Sequence, residues 1–184
     1  MQELLPQAYL IGLIVLLGAA AVVVGRQILR VRRDELALAR LGGNASRDGD
    51  RPGDASGLYE LASVQLRKRL YGQAADNLKL ALKRADAEKA PDEARALIEN
   101  ALGFALAAQN KYPAAVRHYK AALRAKADYP VALNNLAFAL EKQQKPEEAE
   151  ELYRQALALD ASNRTASKRL KRLERRRAQD NQVA

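Results

Sequence analysis

Residues 130–163 read PVALNNLAFALEKQQKPEEAEELYRQALALDASN, and this stretch repeats the preceding one, residues 96–129, at an offset of 34 residues. A third copy lies upstream, and within every copy three small residues recur with the same spacings of 12 and 7. Two antiparallel helices approach closely only where the facing side chains are small, so each copy predicts a helix pair that crosses at these positions. The small residues are Ala62, Ala74 and Ala81 in the first copy, Gly103, Ala115 and Ala122 in the second, and Ala137, Ala149 and Ala156 in the third.

A 34-residue period with small residues at these places is typical of tetratricopeptide repeats. Leucines at three- to four-residue spacing supply the inner stripe of the first helix, as Leu133, Leu136 and Leu140 do in the third copy. Lys145-Pro146 separates the two helices, because a proline at a helix start ends one helix and begins the next. We therefore predict an all-α protein in which three repeats stack into an α-α superhelix. The repeats are predicted at residues 55–88, 96–129 and 130–163.

The spacing between the first and second copies is 41 residues rather than 34. The seven extra residues fall around the sequence ADAEKAPDEAR, and Pro91-Asp92-Glu93 within it is a helix-start signal. The second helix of the first repeat or the first helix of the second repeat is therefore expected to be longer than its equivalents. Ser56 is the expected N-cap of the first repeat.

An uncharged apolar stretch precedes the repeats at residues 8–25, AYLIGLIVLLGAAAVVVG, within the N-terminal segment 1–25. As a helix it is about 27 Å long, which is enough to cross the core of a bilayer. A cleavable signal peptide is the alternative, but it needs positive charge before the apolar run, where Glu3 is the only charged residue. Four arginines follow within residues 26–33, so the positive-inside tendency predicts an uncleaved single-pass membrane anchor with the repeats on the cytoplasmic side.

Two further segments connect the anchor to the repeats. Residues 26–41, RQILRVRRDELALARL, contain no helix breaker and are predicted to continue the helix out of the membrane as a basic juxtamembrane segment. Gly42 and Gly43 are expected to end that helix. Residues 42–54 are rich in Gly and Asp, which predicts a flexible linker.

The formal net charge of +9 is concentrated in two flanks of the chain. Residues 26–47 contribute +4 and residues 164–177 contribute +7, so the rest of the chain sums to −2. A nearly neutral repeat body does not predict a nucleic-acid partner. Residues 164–184 place Ala166, Leu170 and Leu173 on one face and basic residues on the others, which predicts a basic capping helix and tail. Attraction of both basic flanks to anionic lipid is the alternative role.

The sequence contains no combination of residues that would form an active site. It has no cysteine, one histidine, no Gly-rich phosphate loop and no nucleophile accompanied by a base. His118 is expected to be a surface side chain or one at the edge of a groove. We therefore predict a binding protein that is not an enzyme and needs no cofactor or metal, and whose partners are proteins.

In this architecture the first helix of each pair lines a concave groove, and equivalent positions stack from repeat to repeat. Asparagine amides suit the backbone of an extended peptide, and phenylalanine rings suit its apolar side chains; the alternative for the two phenylalanines is the interhelix core. The three stacked rows are Tyr59, Asn100 and Asn134; Ser63, Phe104 and Phe138; and Arg67, Ala108 and Lys142. The predicted partner-binding groove comprises Tyr59, Ser63, Asn100, Phe104, Asn134, Phe138 and Lys142.

One subtype of these repeats clamps the C-terminal carboxylate of heat-shock chaperones. That subtype is known to use Lys and Asn on the first helix of the first repeat and Asn on the first helix of the second. The matching positions here are Tyr59, Ser63 and Ala101. The sequence therefore does not predict this carboxylate clamp.

Three stretches carry a more specific resemblance: GRQILRVRRDELALARL at 25–41, LYELASVQLRKRLYGQAADNLKLALKRA at 58–85, and ALGFALAAQNKYPAAVRHYKAALRAKADYPVALNNLAFALEKQ at 101–143. With the anchor before them, they resemble the small membrane-anchored tetratricopeptide-repeat proteins of cyanobacteria and plastids implicated in photosystem I assembly. The resemblance covers most of the chain, including the long gap between the first two repeats.

This resemblance implies a thylakoid membrane, repeats that face the cytoplasm or stroma, and a scaffold that holds photosystem I subunits or assembly intermediates. A general membrane-anchored adaptor of the same repeat class, serving protein quality control or secretion without any link to photosynthesis, is the alternative function. The repeat pattern is shared by both classes, so it does not distinguish between them.

Overall fold

The computed structural model describes residues 4–47 and 53–183, and in these ranges every regular element is an α-helix. The predicted all-α architecture is therefore confirmed. In chain order the helices are α1 (Leu4–Arg47), α2 (Ala55–Arg67), α3 (Tyr71–Ala87), α4 (Asp92–Ala108), α5 (Tyr112–Ala125), α6 (Pro130–Lys142), α7 (Pro146–Leu159) and α8 (Arg164–Val183).

Helices α2 to α7 form three antiparallel pairs, α2 with α3, α4 with α5, and α6 with α7. The first helices of successive pairs also touch one another, α2 with α4 and α4 with α6. Within the described residues the second helices make no comparable contact with one another. The first helices therefore form the inner, concave row of the superhelix, and the second helices form its outer row.

The nine small residues lie at the crossings of the paired helices and are all buried. Gly103 of α4 shows why small residues are needed there. A Cβ atom added to Gly103 would lie 2.6 Å from Cε1 of Tyr119, a ring that is itself buried on α5. The backbone of α4 thus packs directly on an aromatic face, and the two helices are as close as their atoms allow.

The three inner helices of the repeats end in the same kind of turn. Arg69, Asn110 and Gln144 each adopt the left-handed conformation with φ of 61°. The N–H of the following residue then donates to the carbonyl five residues earlier, at 2.9 to 3.1 Å. This is the Schellman arrangement, which satisfies carbonyls that the end of a helix would otherwise leave without partners.

The longer spacing between the first two repeats is shared by two helices. Helices α3 and α4 have 17 residues each, whereas the outer helices α5 and α7 have 14 and the inner helices α2 and α6 have 13. The three additional residues of α3 and the four of α4 account for the seven extra residues. Helix α4 begins at Asp92, directly after Pro91, as the helix-start signal predicts.

The helix stop predicted at Gly42 and Gly43 is wrong, because α1 continues through both and ends at Arg47. A glycine inside a helix costs about 1 kcal/mol relative to alanine, which alone does not end a helix. Glycine ends helices by adopting positive φ, and no glycine of the described backbone does so. The predicted flexible linker, residues 42–54, is thus helical in its first part, and residues 48–52 lie outside the described residues.

The N-cap of α2 also differs from the prediction. The carboxylate of Asp54 accepts a hydrogen bond from the N–H of Gly57 at 2.8 Å, so Asp54 is the cap and Ser56 lies inside the first turn. Asp54 directly precedes the first helical residue, where its side chain reaches an N–H that has no partner within the helix.

Helix α1 contains one stretch, Gly12–Arg33, that is long and apolar enough to cross a membrane, and none of it is buried within the protein. It overlaps the apolar run predicted to be the anchor. Beyond it, α1 contacts α2, and the carboxylate of Glu35 lies 3.6 Å from Nζ of Lys68. The C-terminal end of α2 therefore lies beside α1 just after the apolar stretch.

Helix α8 takes the place of the first helix of a fourth repeat, since it begins 34 residues after α6. Ala166 and Leu173 are buried in the contact with α7. At the position where Gly103 and Ala137 face the second helix of their own repeats, α8 carries Lys171, which is exposed. The outer side of α8 thus offers water a charged surface rather than an apolar one.

Candidate partner-binding groove

A cleft of about 410 Å³ opens between α4, α6 and α8 on the concave side of the superhelix. Four residues of the predicted stacked rows line it, namely Phe104, Ala108, Asn134 and Phe138. Arg169 of α8 and Tyr112 at the start of α5 line it as well. The cleft therefore combines aromatic rings, an amide and a guanidinium within one concave surface.

Each of the two phenylalanine rings packs against a tyrosine and remains partly exposed. Phe104 packs edge-on against Tyr71, and Phe138 packs edge-on against Tyr112, each with ring centroids 6.4 Å apart. Phe104 is nevertheless 43% exposed, and Phe138 is half-buried. Neither ring lies in the interhelix core, so both are available to contact an apolar side chain of a ligand.

Two cations lie near the ring of Phe138. The guanidinium of Arg169 lies 4.3 Å from the ring centroid, and Nζ of Lys142 lies 5.6 Å from it. Arg169 is also paired with the carboxylate of Glu141 at 3.3 Å, which fixes its guanidinium over the ring. Phe138 thus lies in the positively charged part of the cleft, whereas Phe104 lies outside that part.

The two asparagines of the first predicted row differ in their bonding. Both polar ends of Asn100 are used inside the protein: its Nδ2 donates to the hydroxyl of Tyr129 at 3.4 Å, and its Oδ1 accepts from Nδ2 of Asn135 at 3.0 Å. Asn134 lines the cleft with a buried Oδ1 that has no hydrogen-bond partner in the described part of the protein. Asn134, not Asn100, therefore has a free acceptor.

Asn100 belongs to a separate polar cluster that joins α4 to α6. Burial, and secondarily the nearby Tyr59, raise the pKa of the Tyr129 hydroxyl, while its hydrogen bond with Asn100 opposes the rise. The structure does not bring Tyr59, Ser63 or Asn100 to the lining of the cleft, and Lys142 lies at its margin beside Phe138.

The stacked rows did not predict several residues that shape the cleft. Tyr112 occupies the place in the second repeat that Tyr71 has in the first, and this recurrence is a signal that the sequence offers. Arg169 has no such signal, because it belongs to α8, outside the three repeats. Leu97 and Val131 are also exposed and lie 34 residues apart, one helical turn before the two asparagines.

His118 is part of a link between α4 and α5 and not of the cleft. Its Nδ1 lies 2.7 Å from Oε2 of Glu99, and both side chains are partly buried. No group of three or more His, Cys, Asp or Glu side chains that could hold a metal ion occurs among the residues that the structure describes.

Comparison with protein families identifies the repeats. Residues 130–163 match the family model described as tetratricopeptide repeat, and residues 103–144 match that of the TPR repeat. Among solved structures, the fold is similar to the first TPR domain of Spaghetti (RPAP3) bound to an HSP90 peptide, with a TM-score of 0.62, 20% identity, and 68% of this chain and 94% of that chain covered. It is also similar to the Cut9–Hcn1 assembly, with a TM-score of 0.72, 21% identity, and 81% and 28% covered.

Two plastid relatives resemble the chain well beyond the repeats. The chain is 31% identical over 164 residues to the tetratricopeptide-repeat protein PYG7, chloroplastic, of Arabidopsis thaliana, covering 88% of this chain and about half of that relative, 52%. It is 30% identical over 183 residues to ycf37 of Guillardia theta, and this match covers 100% of both chains. The chain therefore belongs to the plastid and cyanobacterial family of tetratricopeptide-repeat proteins that includes ycf37.

Proposed function

We propose that this protein is a membrane-tethered scaffold that binds a segment of a partner protein in the cleft and assists the assembly or stabilisation of photosystem I. The observation that carries the binding role is the cleft itself. Two partly exposed phenylalanine rings, each packed against a tyrosine, line it together with Asn134, whose buried acceptor has no partner in the described protein. The family resemblance, not the geometry, supports the link to photosystem I.

The residues of the proposed binding face have distinct roles. Phe104 and Phe138 take apolar side chains of the bound segment. The amide of Asn134, whose buried Oδ1 has no partner in the described protein, turns toward the segment and accepts a backbone N–H from it. Lys142 supplies a cation at one margin. Tyr59 and Ser63 extend the face along α2, and Asn100 supports it by holding α4 to α6. A site of this kind binds without chemistry, so the protein acts as a scaffold and not as an enzyme.

We propose that the Gly12–Arg33 stretch anchors the chain in the thylakoid membrane as a single span, with the repeats on the cytoplasmic or stromal side. The basic residues that follow the apolar run support this orientation through the positive-inside tendency. The contact of α1 with α2 keeps the repeats close to the membrane surface. Alkaline carbonate washing should leave the full-length chain in the membrane fraction.

The assembly role is tested by deleting the gene in its own organism and measuring the accumulation of both photosystems under normal and high light. We expect photosystem I to fall relative to photosystem II. A strain carrying Phe104→Ala and Phe138→Ala should show part of that loss, while a matched strain with Leu159→Ala, an exposed leucine on the outer helix α7, should not.

An unchanged ratio of the photosystems in the deletion strain would contradict the proposed assembly role. The general adaptor in protein quality control or secretion would then be the better explanation of the same cleft. Identification of the proteins that co-purify after gentle detergent solubilisation would separate these outcomes, since the two functions imply different partners.

A further inference from the structure

The basic side chains of α8 fall into two sets. The first set is paired with acidic residues below α8: Arg169 and Arg172 with Glu141 of α6, and Arg177 with Glu150 of α7, whose side chain is buried. These pairs fix α8 on the end of the superhelix. The second set is exposed and has no ion-pair partner within residues 4–47 and 53–183. It consists of Arg164, Lys168, Lys171, Arg175 and Arg176.

The unpaired set lies along one exposed face of α8, which also includes Thr165, Arg169 and Arg172. We call this surface the basic face. Thr165 and Arg169 belong to this face and also line the cleft. The basic face therefore continues directly from the aromatic cleft, and a ligand can contact both at once.

The charge pattern of the basic face points to an anionic ligand. Lys168 and Lys171 lie three residues apart, and Lys171 and Arg175 lie four apart, so like charges are neighbours on the helix surface and destabilise it modestly. Glu141 of α6 and Glu150 of α7 are already paired with the first set. Negative charge from outside the chain would relieve this repulsion and form new ion pairs.

The shape of the surface identifies the class of ligand. A membrane surface is broad and flat, and it would contact the exposed side of α8 without entering the concave cleft beside it. A linear protein segment can do both, because apolar side chains reach Phe104 and Phe138 while the following residues pass Arg169 onto the basic face. The free acceptor of Asn134 suits the backbone of such a segment.

We propose that the cleft and the basic face form one binding surface for a partner segment in which apolar residues are followed by acidic ones. This inference rests on the proposed function, in which the cleft binds protein, and adds the chemistry of the partner. It assigns recognition of acidic charge to α8, outside the three repeats, and not to the first helices of repeats 1 and 2.

The test measures binding of labelled synthetic peptides to the full-length chain in neutral detergent by fluorescence anisotropy. One peptide has a Phe and a Leu followed by a run of glutamates; a second has glutamines in place of the glutamates. The variant of the basic face carries Lys168→Glu, Lys171→Glu and Arg175→Glu. A matched control reverses three exposed cations on the outer helices: Lys83→Glu, Arg117→Glu and Lys120→Glu.

We expect the variant of the basic face to lower the affinity for the acidic peptide by about tenfold or more, and the control by less than about twofold. The affinity for the glutamine peptide should be equal in the two variants. The loss should shrink as salt is added, since exposed charges are screened. Circular dichroism should show equal helix content, because the reversed residues are exposed and have no hydrogen bond or ion pair within the described residues.

Three outcomes would overturn the proposal. An equal loss of affinity for the acidic peptide in the variant and the control would show a general effect of net charge. No binding of the acidic peptide would show that the surface does not bind acidic segments. A variant that loses binding to vesicles of anionic lipid but keeps its affinity for the peptide would assign the basic face to the membrane. The proposed function is tested separately by the photosystem ratio of the deletion strain, so a failure of this inference can be distinguished from a failure of that function.

Discussion

At the helix crossing of the second repeat the backbone of Gly103 lies against the ring of Tyr119, whereas Ala137 and Tyr153 hold the same positions in the third repeat. Ala137 of the third repeat thus has a Cβ atom at the position where Gly103 of the second repeat has none. The small residue at a crossing is therefore set by how closely its aromatic neighbour approaches, and the repeat pattern alone does not decide between Gly and Ala.

The same two repeats differ in the bonding of their polar groups. The hydroxyl of Tyr153 donates to the carboxylate of Glu141, while the buried Tyr119 has no hydrogen-bond partner among the described residues. The asparagines show the opposite pattern. Asn100 of the second repeat is hydrogen-bonded at both ends of its amide, and Oδ1 of Asn134 in the third repeat has no partner in the described protein. Tyr153 has a partner because Glu141 of its own repeat stands where the second repeat has Ala107. Asn100 has its partners because Tyr129 and α6 follow the second repeat.

The largest effect is expected at the closest crossing. Gly103→Ala places a methyl group against Tyr119, a residue that is 1% exposed and whose ring must shift to make room. Overpacking of this kind should lower the free energy of unfolding by about 2–3 kcal/mol, even after the better helix propensity of alanine. The reverse change in the third repeat, Ala137→Gly, should cost only about 1 kcal/mol, because it removes a methyl group without a clash. Urea unfolding of the full-length chain in detergent, followed by circular dichroism, measures both.

A second substitution serves as the control for this clash. The first repeat pairs Ala62 with Leu78, so Tyr119→Leu combined with Gly103→Ala reproduces that pair in the second repeat. The double variant should be more stable than Gly103→Ala alone. A Gly103→Ala protein as stable as the wild type would show that the crossing has room and that the comparison of the two repeats is mistaken.

A smaller effect is expected for the two tyrosine hydroxyls. Tyr153→Phe removes a hydrogen bond to a carboxylate and should lower the free energy of unfolding by about 1–2 kcal/mol. Tyr119→Phe removes a hydroxyl without a partner and should change it by less than about 0.5 kcal/mol. The same unfolding measurement compares them, and equal losses would mean that the bond to Glu141 does not distinguish the repeats.

The features that the sequence predicted are those with a local cause. Helix pairs follow from the period of small residues, and the start of α4 follows from Pro91. The Schellman ends at Arg69 and Gln144 had no glycine to mark them, and Gly42 and Gly43 did not end α1, so composition was a poor guide to helix ends. Helix boundaries depend on the hydrogen bonds that tertiary structure completes.

The candidate site was predictable only in part for a similar reason. Stacking of the inner helices placed Phe104, Phe138 and Asn134 on one face, because it depends only on the repeat. The different bonding of Asn100 depends on Tyr129, which lies 29 residues away in the loop before α6, and the position of Arg169 depends on how α8 docks. Such long-range partners leave no periodic signal in the sequence.

The smallest effect on stability, and the one most informative about function, is expected at the asparagines. Asn100→Ala removes two interhelical hydrogen bonds and should lower the free energy of unfolding by about 1 kcal/mol. Asn134→Ala deletes a buried acceptor that has no partner, so it should leave stability unchanged within about 0.5 kcal/mol or raise it slightly. Asn134→Ala should reduce the amount of captured partner more than Asn100→Ala does, because of the two asparagines only Asn134 lines the cleft with an acceptor that has no partner. Unfolding curves measure the first quantity, and the amount of protein that co-purifies with each variant from solubilised membranes measures the second. A loss of capture in Asn100→Ala with none in Asn134→Ala would place the partner on the polar cluster that joins α4 to α6 and not in the cleft.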